Sequence, residues 1–267
     1  MTHAFFAGLA APLHISHRGG AALYPENTMY AFERAMKAHQ TDVLELDVHV
    51  SRDGEVVVAH DATLERCTDG AGPIDALPWK ELARLDAAFH FTPVGAAGTP
   101  LRGKGIGIPT LRALLAATPG LRLNVEVKAA SAIDPFVALV RSAQCLDRLC
   151  IGSEHDAIAA ELAKKLPEAC HFFPANALAS FVLPTKGGEP PEDDPRYTVL
   201  DMPYRWEGVT LFDAELAKIA RAHGKWINVW TVDEEVEMRR CVLDGVGGVM
   251  TDRPDVLRSV LSSPVPA

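Results

Sequence analysis

Apolar residues fall along this chain in two alternating patterns. Short runs rich in Val, Ile and Leu read as strands, and longer segments with apolar positions every three or four residues read as helices. The runs predict strands over 13–16, 43–50, 121–128, 149–153, 171–173, 198–202, 226–232 and 246–251, with an extra short one at 55–59. The periodic segments predict helices over 110–117, 135–143, 156–165, 213–223, 234–243 and 254–261. Another runs to Ala38, entered through Pro25-Glu26-Asn27-Thr28, residues of the helix-capping type. Strand–helix alternation predicts parallel βα units. About eight of them predict a (β/α)₈ TIM barrel, one domain over 1–267. A doubly wound open sheet is the competitor, but no Gly-rich phosphate fingerprint follows the first strand.

Two stretches break the rhythm. Ser51-Arg52-Asp53-Gly54 reads as a turn that sends 55–59 back towards the rim. Residues 61–107 then hold many glycines and prolines and only one helical turn, at 79–85. Long irregular segments in compact domains are usually functional or disordered, so this one reads as a cap inserted over the barrel mouth. Residues 186–196 are polar and Pro-rich, an exposed loop.

Composition narrows the partners. With 267 residues, 48% of them hydrophobic and 23% charged, the chain has enough apolar material for a large core. A net charge of −9 argues against nucleic acid as a partner, and an anionic substrate must be captured by local charge. The cysteines Cys67, Cys145, Cys150, Cys170 and Cys241 form no CxxC pair, which fits reduced thiols and a cytoplasmic location. No apolar run is long enough to span a membrane, and the apolar start at 4–13 has no basic residue before it. A homo-oligomer is compatible with all of this.

Candidate chemistry clusters at predicted strand ends, which in a parallel barrel meet on one face. His17-Arg18-Gly19-Gly20 follows the first strand. Glu45 and Asp47 lie two apart on the second, so both carboxylates leave one face. Such a pair repels unless a cation lies between its members or one is protonated, and oxygen-only ligation suits Mg²⁺ or Ca²⁺. Glu126 and Lys128 repeat the spacing on another strand, offering a third carboxylate and an ammonium for a phosphate oxygen; an ordinary strand-end ion pair is the plainer reading. His17 and His60 are candidates for acid–base work near neutral pH, and Arg18 carries a fork suited to two phosphate oxygens.

The ordered set His17-Arg18-Gly19-Gly20, Pro25-Glu26-Asn27-Thr28, Glu45-Leu46-Asp47-Val48, Asp53-Gly54, His60-Asp61, Glu126-Val127-Lys128, Trp230-Thr231-Val232 and Thr251-Asp252-Arg253-Pro254 resembles the glycerophosphodiester phosphodiesterases. The likeness covers nearly the whole chain. It implies a barrel with a segment inserted after the second strand, and one divalent cation, Mg²⁺ or Ca²⁺, held by Glu45, Asp47 and Glu126. It further implies proton transfer by His17 and His60, and phosphate binding by Arg18 and Lys128. The chain departs from the pattern at Gly247, where the family often has Asp, at Asp233, where it often has Asn, and at Ser153-Glu154-His155, where a Ser-Phe pair is common.

The expected reaction is metal-dependent hydrolysis of a glycerophosphodiester to glycerol 3-phosphate and an alcohol. His17 is assigned as base and His60 as acid, with the reverse left open. Trp230 packs either the alcohol or the core. Two alternatives remain: cleavage of lipid phosphodiesters as by a lysophospholipase D or sphingomyelinase D, with Phe89, Phe91 and Val94 as acyl-chain contacts, or an inactive phospho-ligand binder. Glu26 and Asn27 are read as capping residues, and Asp252-Arg253-Pro254 as the start of the last helix.

Overall fold

The computed structural model describes residues 3–263. Its strands are β1 (Leu13–Ser16), β2 (Val43–Val50), β3 (Val56–Val58), β4 (Arg122–Val127), β5 (Leu149–Gly152), β6 (Cys170–His171), β7 (Val199–Pro203), β8 (Arg205–Trp206), β9 (Val209–Thr210), β10 (Trp226–Trp230) and β11 (Gly248–Thr251). Its α-helices are α1 (Met29–His39), α2 (Trp79–Leu82), α3 (Leu111–Ala117), α4 (Ile133–Ala143), α5 (Asp156–Lys165), α6 (Ala175–Lys186), α7 (Ala214–Ala222), α8 (Glu235–Leu243) and α9 (Pro254–Ser262). Parallel pairing runs β6-β5-β4-β2-β1-β11-β10-β7. A single parallel bridge, Phe172 to Val199, joins the two ends, so the expected (β/α)₈ barrel is borne out.

Strand alternation divides the protein into two regions. Leu44, Leu46 and Val48 of β2, with Leu123, Val125 and Val127 of β4, face outward and pack with Phe32, Leu114 and Phe136 of the helices. The intervening residues point into the barrel. At its base the interior is apolar, built from Leu13, Ile15, Val43, Cys150, Cys170, Val199 and Met250. Phe5 and Phe6 join this base, with Phe6 stacked on Trp226 at 4.5 Å. Towards the strands' C-terminal ends the inward residues turn polar: Asn124, Asp201 and Asn228, then Glu45, Asp47 and Glu126.

Helix starts follow the capping chemistry in the sequence. Thr28 accepts from Ala31 N at 3.2 Å, Thr110 from Ala113 N at 3.1 Å and Asp213 from Leu216 N at 2.9 Å. Helix α6 was not anticipated. It contains Pro184 and is apolar on more than one face, so it shows no clean helical stripe. The exposed β8–β9 hairpin was also missed, because two-residue strands carry too little pattern to read.

None of residues 61–107 lines the cavity at the barrel mouth. Leu64, Ile74, Leu82 and Ala87 pack with Val57 of β3 in a satellite core, and Val58 N donates to Pro109 O at 2.9 Å. The segment thus packs on β3, and Val94 N donates to Ala22 O at 2.8 Å beside the first strand's loop.

Gly247 has a steric origin. A Cβ there would lie 2.6 Å from Ile227 O and collide with the Trp226 indole, whose Nε1 donates to Asn228 Oδ1 at 3.0 Å. The Trp226 ring thus occupies the space that a side chain at 247 would need. Gly247→Ala should destabilise the fold by about 2 kcal/mol, since backbone cannot yield to the new methyl. Urea unfolding measures this, and an unchanged midpoint would show that the strand shifts freely.

Candidate active site

A cavity of about 610 Å³ opens at the C-terminal face of the barrel. His17, Arg18, Glu45, Asp47, His60, Glu126, Lys128 and Trp230, drawn from five segments of the chain, all line it. The geometry begins with a tight 3₁₀ turn at His17–Gly19, directly after β1. Gly19 has φ +84° and a Cβ would meet Ala31 Cβ at 2.8 Å; Gly20 has φ +99° and would meet Pro254 Cγ at 2.7 Å. Both glycines let the turn nest between α1 and the start of α9.

Each histidine is anchored by a carboxylate. His17 Nδ1 lies 2.7 Å from Asp252 Oδ1, and His60 Nδ1 lies 2.7 Å from Asp61 Oδ1. An ionised carboxylate only accepts, so each Nδ1 carries the proton and, in the neutral ring, Nε2 is the basic nitrogen. Burial works against a charged His17, but the Glu45 and Asp252 carboxylates outweigh it and hold its pKa above the ordinary value. Burial likewise opposes an ionised Asp61, yet Arg66 and His60 bring its carboxyl down to about 2. Asp252 is therefore more than a helix start. Asp233 Oδ1 steadies it by accepting from Thr251 Oγ1 and Asp252 N, both at 2.8 Å. An Asn at 233 offers the same oxygen, so this departure leaves the site intact.

Carboxylates and cations interleave across the barrel rim. Asp47 and Glu126 are register partners on β2 and β4. Arg18 Nε is 3.3 Å from Asp47 Oδ2, and Lys128 Nζ is 3.2 Å from Glu126 Oε2, 3.6 Å from Glu154 Oε1 and 3.9 Å from Asp47 Oδ1. Burial opposes the Lys128 charge, but Glu126, Asp47 and Glu154 together raise its pKa. Asn27 serves the site instead of capping the helix, with Nδ2 donating to Asp47 Oδ2 at 3.0 Å and Oδ1 accepting from Asp47 N at 3.4 Å. Glu26 bonds Arg18 and Arg66 instead of capping α1.

The donor chemistry suits a hard cation. Burial and the neighbouring Asp47 push the Glu45 carboxyl up to about 8, and burial raises Glu126 as well. A divalent charge would relieve that strain. Arg18 Nε is buried and makes no hydrogen bond, its ion-pair partner Asp47 Oδ2 lying 3.3 Å away. Among the described residues no three His, Cys, Asp or Glu side chains close into a ligand cluster; the carboxylates rest in ion pairs with Arg18 and Lys128.

The far wall of the cavity is apolar. Phe172 and Phe173, Leu178, Ala179, Val182 and Leu183 of α6, and Trp206 and Leu211 around the hairpin form it. None of residues 61–107 contributes, so Phe89, Phe91 and Val94 lie elsewhere. Arg205 fastens the hairpin to Glu237 of α8 at 2.6 Å.

Residues 17–256 match the model of the glycerophosphoryl diester phosphodiesterase family. The chain belongs to this family. The parallel barrel and the enzyme class expected from the sequence stand with it. A glycerophosphodiester phosphodiesterase of Caldanaerobacter subterraneus is 29% identical over 258 residues, which is 92% of this chain and 96% of that protein. The solved glycerophosphoryl diester phosphodiesterase domain of an uncharacterized Mycobacterium tuberculosis protein superposes with a TM-score of 0.82 at 22% identity, covering 94% and 99% of the two chains. An Oleispira antarctica phosphodiesterase solved with its product sn-glycerol-3-phosphate gives a TM-score of 0.72 at 25% identity, covering 93% and 96%. No helix among the described residues is long and apolar enough to cross a membrane.

On the cavity floor, Asp201 accepts from Asn124 Nδ2 at 2.5 Å and Asn228 Nδ2 at 2.7 Å, while burial lifts its carboxyl from 3.8 to about 6. The folded state therefore binds this proton more tightly. Its stabilising effect is full below pH 3.8 and is lost as pH rises through about 6. Relative to Asp201→Asn, the wild type should lose about 2 kcal/mol of stability between pH 4.5 and 7. Paired urea titrations in chelator measure the difference, and parallel pH curves would show that Asp201 does not titrate in this range.

Proposed function

We propose that the protein hydrolyses glycerophosphodiesters to glycerol 3-phosphate and an alcohol, with His17 and His60 as the proton-transfer pair. The observation that carries this is two Nδ1-anchored imidazoles lining one cavity with Arg18 and Lys128. His17 Nε2 takes the proton of the attacking oxygen, from water or the neighbouring glycerol hydroxyl. The phosphorus–oxygen bond to the alcohol breaks as His60, protonated, delivers its Nε2 proton to the leaving oxygen. Arg18 and Lys128 stabilise charge growing on the remaining phosphoryl oxygens. Glu45, Asp47 and Glu126 are the residues that would hold a divalent cation, Mg²⁺ or Ca²⁺, which when bound supplies positive charge to the phosphoryl group and eases deprotonation of the nucleophile. Trp230 covers the alcohol side.

A second reading rests on the apolar wall. Leu183 and Trp206, each 61% exposed, line the cavity's apolar side with Trp230, and the equally exposed Val209 pairs with Trp206 in the hairpin. A single acyl chain on the substrate, as in a lysophospholipid, would lie against this surface. Comparing kcat/KM for glycerophosphocholine and a long-chain lysophosphatidylcholine separates the readings; preference for the soluble diester supports the first, and the reverse supports the second.

His17→Ala and His60→Ala should each lower kcat at least about a hundredfold with the fold retained, and near-wild-type turnover by both would remove them from the mechanism. Excess chelator should abolish turnover and added Mg²⁺ or Ca²⁺ restore it; full activity in chelator would exclude the cation. Asp252→Asn removes a negative charge beside His17, so it lowers that group's pKa. The acidic limb of kcat/KM should move to lower pH, and an unmoved limb would assign it to another group.

A further inference from the structure

The insertion after β3 lines no part of the cavity, yet it reaches both ends of the candidate machinery through one side chain. Arg66 Nε donates to Asp61 Oδ2 at 2.5 Å, while its two terminal nitrogens donate to Glu26 Oε2 and Oε1 at 2.7 and 2.8 Å. The other oxygen of Asp61 anchors His60 Nδ1. Glu26 Oε1 also accepts from Arg18 Nη1 at 3.0 Å. One planar fork thus joins the carboxylate that orients His60 to the carboxylate that holds Arg18.

We propose that Arg66 is a positioning residue for the reaction, setting His60 through Asp61 and Arg18 through Glu26 at once. This rests on the hydrolytic reading above and on the roles given there to His60 and Arg18. Arg66 is about half exposed, and ion pairs at that exposure contribute little to folding stability. Its consequence lies in geometry, because small misplacements of reacting groups can cost about a hundredfold in rate. Only a guanidinium supplies three donors in one plane, two to one carboxylate and one to the other. A lysine keeps the charge but loses the fork. A residue that merely fastened the insertion would change the melting temperature and leave kinetics alone.

The experiment compares wild type, Arg66→Ala and Arg66→Lys for kcat and KM on glycerophosphocholine with saturating Mg²⁺, for calorimetric affinity towards sn-glycerol 3-phosphate, and for thermal unfolding. Arg66→Ala should lower kcat at least tenfold through His60, and raise KM and the product Kd at least threefold through Arg18. Arg66→Lys should recover only part of each, and added guanidinium should restore activity to the alanine variant. Kinetics and product affinity within twofold of wild type in either folded variant would overturn the proposal, as would a lysine variant equal to wild type. If the alanine variant does not fold, the lysine variant decides. Wild-type protein that binds the product without turning over the diester would sink the hydrolytic reading and the His60 half of the proposal, while the product Kd ratio would still decide the Arg18 half. Wild-type protein that does neither would sink both.

Discussion

The constraint on which this protein depends is unbalanced negative charge inside a barrel. Among the described residues, the carboxyls of Glu45, Asp47, Glu126, Glu154 and Asp201 line the cavity against two permanent cations, Arg18 and Lys128. Ionised carboxylates in a buried, low-dielectric setting are costly unless paired or hydrogen-bonded. The structure answers locally. Arg18 N–H donates to Glu45 at 2.9 Å, Asn27 to Asp47, and Asn124 with Asn228 to Asp201. What remains is raised proton affinity at Glu45, Glu126 and Asp201, a site that gains stability from any added positive charge. The same excess suits the barrel to a cation and a phosphate together.

Placement of that charge follows from the division along the barrel axis. Apolar side chains joined by Phe5 and Phe6 fill the base, where Arg122 donates to Phe5 O and Ala7 O, and the upper layers gather the carboxylates at the strand ends. The helical shell buries the outward Leu and Val residues independently of the site. Polar and apolar tasks fall to alternate residues of the same strands, so the rim can carry charge without loosening the core.

Much of this was legible along the chain. Alternation in β2 placed Glu45 and Asp47 on one side, and His49, two residues further on, reaches His60 O with Nε2 at 3.1 Å across the β2–β3 hairpin. The motifs at 17–20, 45–47, 60–61 and 126–128 mark strand ends, and all reach one rim. Less legible were the orienting groups. Asp252 and Glu26 sit in segments that also read as helix starts, and that plainer reading masked them. The mouth was assigned to residues 61–107 on loop length alone, whereas α6 and the β8–β9 hairpin form its wall; α6 carries Pro184 and lacks a single apolar stripe.

The amino-acid order by itself determined which side chains face inward and which chemistry gathers at the strand ends, because strand period and motif spacing are properties of neighbouring residues. Tertiary structure decided which acid steadies which imidazole, what walls the cavity, and why position 247 bears no side chain. Asp252 meets His17 across 235 residues, and the Trp226 ring fills the space beside Gly247. Contacts of that kind exist only once the barrel has closed and brought distant strand ends within a few ångströms of one another.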